Sequence, residues 1–171
     1  MPLNSLSNTL TLFLGANVAC AQCHDHPKAD WTQREFYEMA AFFGATNVSD
    51  LDPRKISKNL ADEHLSKQQF VRVIAQSWGN VLPKEKQELV YPADYAYDDV
   101  KPGEGVIPRL ISWNDDLSFY NHHQKNVGAA EKLREQFAKW LVDKKNPRFA
   151  INIANRIWKN FFGIAIHEPI Y

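Results

Sequence analysis

The chain holds two cysteines, three residues apart, with a histidine directly after the second: Cys20-Ala21-Gln22-Cys23-His24. Two thiols one turn apart can add to the two vinyl groups of a single haem, and the adjacent imidazole then lies under the iron as its proximal ligand. Two cysteines scattered at random in this chain would show that spacing about 1% of the time, so the pattern carries information. Other chemistries use the same residue types. A structural zinc site needs four ligands, usually from two separated pairs, and here only His24, His26 and distant histidines are on hand to complete one. A thioredoxin-like dithiol wants a strand before the motif and a helix beginning at it, whereas this motif ends a helical pattern. A plain disulfide or two unmodified thiols is the third alternative. Covalent haem c leads, with zinc or no cofactor as the alternatives.

The sixth iron position is open to several residues. Met39 has the thioether of a Met/His site, yet it falls in an apolar helical stripe where a methionine is ordinarily packing. His64 follows Asp62-Glu63 in a polar stretch, where solvation is the default. His26 stands too close to His24 to reach the opposite face of the same haem; a backbone or propionate bond suits it better. Asp25 is expected to orient the His24 imidazole, and Asp30 to cap a helix. His122-His123 reads as a surface pair. Arg148 and Arg156, two turns apart, share a helix face suited to an anion or to solvent. Trp31, Trp78, Trp113, Trp140 and Trp158 are mostly expected in the core. No phosphate loop, nucleophile elbow or zinc-protease helix is present in the sequence.

The elements that must position these residues follow from periodicity. Leu6, Leu10, Phe13, Leu14 and Asn17, with Ser5 as cap, predict a helix of about four turns leading to Cys20. Asp30 with Gln33 predicts a capping box for a second helix bearing Phe36, Met39, Ala40 and Phe43, stopped by Gly44. Ser66 with Gln69 predicts a third, with Phe70, Val73 and Ile74 on one side and Gly79 at its end. Pro83, Pro92, Pro102 and Pro108 mark a connector with room for one short hairpin, its strands from Tyr91 to Val100 and at Val106-Ile107 around a turn at Lys101 to Gly105. Two closing helices follow. One runs from about Ala129 to Val142 and buries Leu133, Phe137, Trp140 and Leu141. The other runs from Phe149 to Phe162, ends at Gly163, and turns Ile153, Ile157, Trp158 and Phe161 inward. Their short connection predicts an antiparallel pair. The fold class expected is mainly α: a helical haem-type domain, the connector, then the helix pair.

Composition sets the outer limits. With 171 residues, 20 Lys+Arg balancing 20 Asp+Glu, and 44% apolar residues, the chain can bury a substantial core. Balanced charge argues against nucleic-acid binding by phosphate neutralisation. No apolar run reaches the roughly 18 residues of a membrane span. The stretch from Leu10 to Ala19 is not a signal peptide, since no Lys or Arg precedes it.

Phe13-Leu14-Gly15, Cys20-Ala21-Gln22-Cys23-His24-Asp25-His26-Pro27, Trp31-Thr32-Gln33 and Ala40-Ala41-Phe42-Phe43 together resemble the planctomycete-type cytochrome c-like domain of unknown function. Trp140-Leu141, Asn146-Pro147-Arg148-Phe149-Ala150, Asn155-Arg156-Ile157-Trp158 and Phe161-Phe162-Gly163 resemble the planctomycete-specific domain that typically follows it, and Tyr95 to Pro108 is similar to the joining stretch. Lys28 departs from the aromatic residue usual after His-Pro. The resemblance implies an internal piece of a large exported protein: residues 1–82 as the C-terminal part of the cytochrome c-like domain, 83–113 as connector, and 114–171 as the start of the second domain. The expected function is c-type haem binding for electron transfer outside the cytoplasm, as a module rather than a catalyst by itself. Its expected partner is a redox protein or an upstream cytochrome c-type domain of the same chain. The alternative is a non-redox structural or carbohydrate- or protein-interaction domain, with Cys20 and Cys23 as a disulfide or zinc knuckle.

Overall fold

Leu6, Leu10 and Leu14 recur at one-turn spacing, and all three are buried. They draw the first helix onto the core as α1, Pro2–Thr9, continued by a π-helical turn, Leu10–Leu14. The helix thus begins earlier than Ser5 and stops at Gly15, which takes the left-handed conformation (φ 62°) and returns its N–H to the Leu10 carbonyl. The computed structural model describes residues 2–48, 66, 68, 81–83, 86, 89–111, 121–123, 125 and 128–168. The helix expected after Ser66, with Phe70, Val73 and Ile74, lies outside these residues, as do His64, Trp78 and Trp113.

α2, Gln33–Ala40, runs into a 3-10 turn, Ala41–Phe43. Its capping box is Thr32 with Glu35, not Asp30 with Gln33: the Glu35 N–H donates to Thr32 Oγ1 at 3.1 Å and the Thr32 N–H to Glu35 Oε2 at 3.0 Å. Both boxes fit the same spacing, but the later one puts Trp31 just before the cap and Phe36 four residues after it. These are the two positions of a hydrophobic staple, and both side chains are in the core. Phe36, Met39, Ala40 and Phe43 are all buried as expected.

A short antiparallel pair, β1 (Thr46–Val48) with β2 (Val81–Pro83), is registered Thr46 to Pro83, Asn47 to Leu82 and Val48 to Val81. The periodicity had assigned neither segment to a strand. By contact the chain divides into two compact units, Met1–Ala45 with Glu85–Tyr171, and Thr46–Lys84. The first unit carries one core cluster that runs from Leu6 to Leu141.

The connector pairs differently from expectation. An antiparallel bridge joins Val90 to Gly105. The Tyr91 N–H donates to the Glu104 carbonyl and the Val106 N–H to that of Leu89, around a turn closed by Glu104 N–H to the Lys101 carbonyl. The turn stands where Gly103 and Pro102 place it. Residues 95–100, offered above as strand, instead carry aromatic side chains that pack on one another.

α3, Leu133–Leu141, follows a 3-10 turn, Ala130–Lys132. It buries Leu133, Phe137, Trp140 and Leu141, and Phe137 meets Phe42, Phe43 and Trp140 at centroid distances of 5.9, 4.9 and 5.5 Å. Each such fully buried side chain contributes about 1.5–3 kcal/mol. Asn146 then caps two helices at once, donating to the Leu141 carbonyl and accepting the Arg148 N–H. α4, Pro147–Phe162, follows. The fold is mainly helical. α3 packs chiefly on Ala41–Phe43 and α4 on Leu10–Leu14, so neither has the other as its main partner, as the antiparallel pair required.

The facing of α4 also departs from expectation. Its buried residues are Asn152 and Asn155; Ile153 is half-buried, while Ile157 (51% exposed), Trp158 and Phe161 (80% exposed) face out. Asn152 donates to the Leu12 carbonyl, and Asn155 holds the chain beyond the helix through the Ile166 and His167 N–H groups and the His167 carbonyl. Backbone groups left over in the last turn before Gly15 and in the segment after α4 thus draw in the amides. Hydrophobicity alone pointed the other way.

Candidate functional site

Residues Ala19–Gln22 form one 3-10 turn between Gly15 and the loop before α2. A 3-10 helix repeats every three residues. Val18 and Ala21, three apart, are fully buried, and this leaves Cys20 and Cys23, also three apart, on the outward side. Both thiols are free and exposed. The N–H groups of Cys23 and His24 converge on the Cys20 carbonyl at 3.2 and 3.4 Å.

The His24 ring is exposed, and its Nδ1 lies 2.7 Å from the Asp25 carbonyl oxygen. A carbonyl can only accept, so Nδ1 carries the proton and the neutral ring keeps its lone pair on Nε2. The bond to the imidazole thus comes from the Asp25 main chain, not from its carboxylate. That carboxylate is occupied elsewhere, taking the Gln33 N–H at 2.8 Å, where the start of α2 favours a negative charge. The next peptide group is held from its other side, because the His26 N–H donates to the Trp31 carbonyl at 2.7 Å. His26 Nδ1 accepts the Lys28 N–H at 3.1 Å, the backbone bond expected of it. Asp30 is exposed and caps nothing in α2.

The connector closes one side of this loop. Tyr97 Oη accepts the Asp25 N–H at 2.9 Å. The Gln33 side chain, 1% exposed, donates to the Gln22 carbonyl at 3.1 Å and accepts the Ala96 N–H at 3.0 Å. A cleft of about 320 Å³ lies between Asp25, Thr32, Arg34, Tyr95, Tyr97 and Asp99. Behind it, Tyr97, Tyr95, Tyr91 and Tyr37 pack edge to face or tilted in succession, with centroids 5.3–6.3 Å apart. Burial pushes the Tyr91 phenol up to about 12 and also raises those of Tyr37 and Tyr95. None of these tyrosines was singled out as a site residue. Tyr91, Tyr95 and Tyr97 are far away in sequence, and only the fold brings them to the motif.

A covalently held haem needs two accessible thiols at this spacing and an adjacent nitrogen donor of defined tautomer. Cys20, Cys23 and His24 meet each requirement, so the residues fit that group on its proximal side. Among the described residues no three His, Cys, Asp or Glu side chains form a metal-holding group. Met39 is wholly buried in the core cluster, the packing role that its spacing suggested. Arg148 and Arg156 lie on α4, away from the bonds that hold the motif loop.

His123, taken for a surface residue, is 8% exposed, with Nε2 3.0 Å from Asp143 Oδ2. His122 is exposed. The pair borders a cleft of about 730 Å³ with Lys132, Glu135 and Lys139. Among the described residues no helix is long and apolar enough to cross a membrane.

Residues 2–48 match the family model PSCyt2, a protein of unknown function (DUF1549), and residues 133–171 match PSD1, a protein of unknown function (DUF1553). The chain is therefore similar at its two ends to two planctomycete-type domains of unknown function. Searches of the curated proteins and of the solved structures returned no match.

Proposed function

We propose that the chain is a c-type haem-binding protein that transfers single electrons within an exported multidomain protein. The observation that carries this reading is the attachment turn: two free, exposed thiols three residues apart, beside an imidazole whose Nδ1 is engaged and whose Nε2 is available. Cys20 and Cys23 form the thioethers and His24 Nε2 is the proximal donor. The Asp25 carbonyl keeps the ring in one tautomer and strengthens it as a donor. When bound, the haem supplies a one-electron iron couple. Placement outside the cytoplasm follows from the chemistry, since thioether attachment is made on exported chains. The partner is a redox protein or a further cytochrome c-type domain of the same chain.

The test is an optical spectrum of the chain exported into a host that matures cytochromes c. Sharp reduced-state bands that survive acidic organic extraction support the reading. Loss of all colour to the organic phase, or no colour at all, rejects it. One observation favours a second reading, a non-redox interaction domain: the outward apolar face of α4, with Ile157, Trp158, Phe161 and Phe162 all exposed. That reading predicts a colourless protein in the same host.

A further inference from the structure

We infer that Gln33 and the connector residue Tyr97 are positioning residues for His24, so that the connector tunes the haem site by way of Asp25. The inference rests on the haem reading for its consequence, but on geometry for its content. Every polar group of Asp25 has an assigned partner. Its N–H goes to Tyr97 Oη at 2.9 Å, its carboxylate Oδ1 takes the Gln33 N–H at 2.8 Å, and its carbonyl takes His24 Nδ1 at 2.7 Å. Only the last bond touches the imidazole; the Tyr97 bond fixes the peptide before Asp25, and the main-chain N–H of Gln33 fixes the Asp25 side chain. The peptide that follows donates to Trp31, which polarises the Asp25 carbonyl and makes it the stronger acceptor.

Gln33 locks the same unit from beneath. From the start of α2 its nearly wholly buried side-chain amide ties the attachment turn at Gln22 to the connector at Ala96. A glutamine so placed has little purpose in an exposed loop that merely links two elements. It fits one that must be held to a few tenths of an ångström, as a ligand-orienting shell is. Ala96 and Tyr97 lie between the two family-matched stretches, 2–48 and 133–171, so the connector contributes to a site whose motif lies wholly in the first.

The physical consequence has a sign. A strong Nδ1–H bond to a carbonyl makes the imidazole a more basic donor, which favours the oxidised iron and lowers the potential. Weakening it raises the potential. The experiment compares the full chain with Tyr97→Phe, which removes only the acceptor oxygen, and with Gln33→Leu, which removes the amide bonds to Gln22 and Ala96 but keeps the main-chain bond to Asp25, all exported in the maturing host. Two readouts are taken: the midpoint potential with the iron–histidine stretch of the reduced protein, and the imidazole nitrogen shifts of His24 in apo protein made without haem.

The expected result is a higher potential and a lower stretching frequency in both variants at unchanged haem content, with apo His24 passing from one tautomer to a mixture. Unchanged potential, stretch and tautomer in Tyr97→Phe and Gln33→Leu overturn the inference while the haem reading stands. If Gln33→Leu fails to fold, Tyr97→Phe alone decides. If no variant, nor the parent chain, takes haem covalently, the haem reading fails. The apo nitrogen shifts then decide separately whether Gln33 and Tyr97 hold the ring.

Discussion

Asn152 shows how one amide can outweigh an apolar helix face. Its Nδ2 donates to the Leu12 carbonyl at 2.9 Å, and its Oδ1 lies 2.8 Å from where a Cβ on Gly15 would stand. Gly15 is thus required twice, for its positive φ and for this close approach. Asn152→Ala leaves a part-buried carbonyl without its donor and is expected to lower stability by about 1–3 kcal/mol, read from urea unfolding. A change near zero would mean that α4 is held by something else. Asp143 offers a test by pH. The Lys145 N–H and then His123 hold its carboxyl below the usual carboxylate range. A lowered folded value means that the stabilisation is present above the unfolded value of about 3.9 and is lost as pH falls through the lower folded one. Asp143→Asn is therefore expected to lose less stability than the parent chain on acidification below about pH 4. Parallel curves of unfolding midpoint against pH would contradict this.

Elements were legible where the signal was local and less so where it needed a partner. The apolar stripe of α2 was evident, but two capping boxes overlapped, and only the packing of Trp31 chose between them. Thr32→Ala is expected to cost about 1 kcal/mol and Asp30→Ala close to nothing. The reverse order in thermal or denaturant unfolding would restore the earlier cap. In α3 the wheel and the core agreed. In α4 they did not, because periodicity finds a face without saying what lies opposite it. Phe161→Ser is expected to change stability within about 0.5 kcal/mol, as at an ordinary exposed site, whereas Phe137→Ala should cost about 3–5 kcal/mol. Comparable losses from both would mean that the apolar face of α4 is buried in solution.

At the scale of the molecule, residues 2–45 of the first family match, the whole of the second and the connector from Glu85 onward share one compact unit. The Cys20-x-x-Cys23-His24 motif was readable because its chemistry sits within five residues. The shell around it was not. Asp25 meets a tyrosine 72 residues away and Gln33 a backbone N–H 63 residues away, and neither leaves a mark in local pattern. The His123–Asp143 pair was missed for the same reason. The account as a whole stands on the attachment turn, so the most direct measurement is the intact mass of the full chain after export into a cytochrome c-maturing host, beside its Cys20→Ser/Cys23→Ser variant. The prediction is one haem added to the parent chain under denaturing conditions and none to the variant. An unmodified mass for the parent chain, in a host shown to mature another cytochrome c, would contradict it.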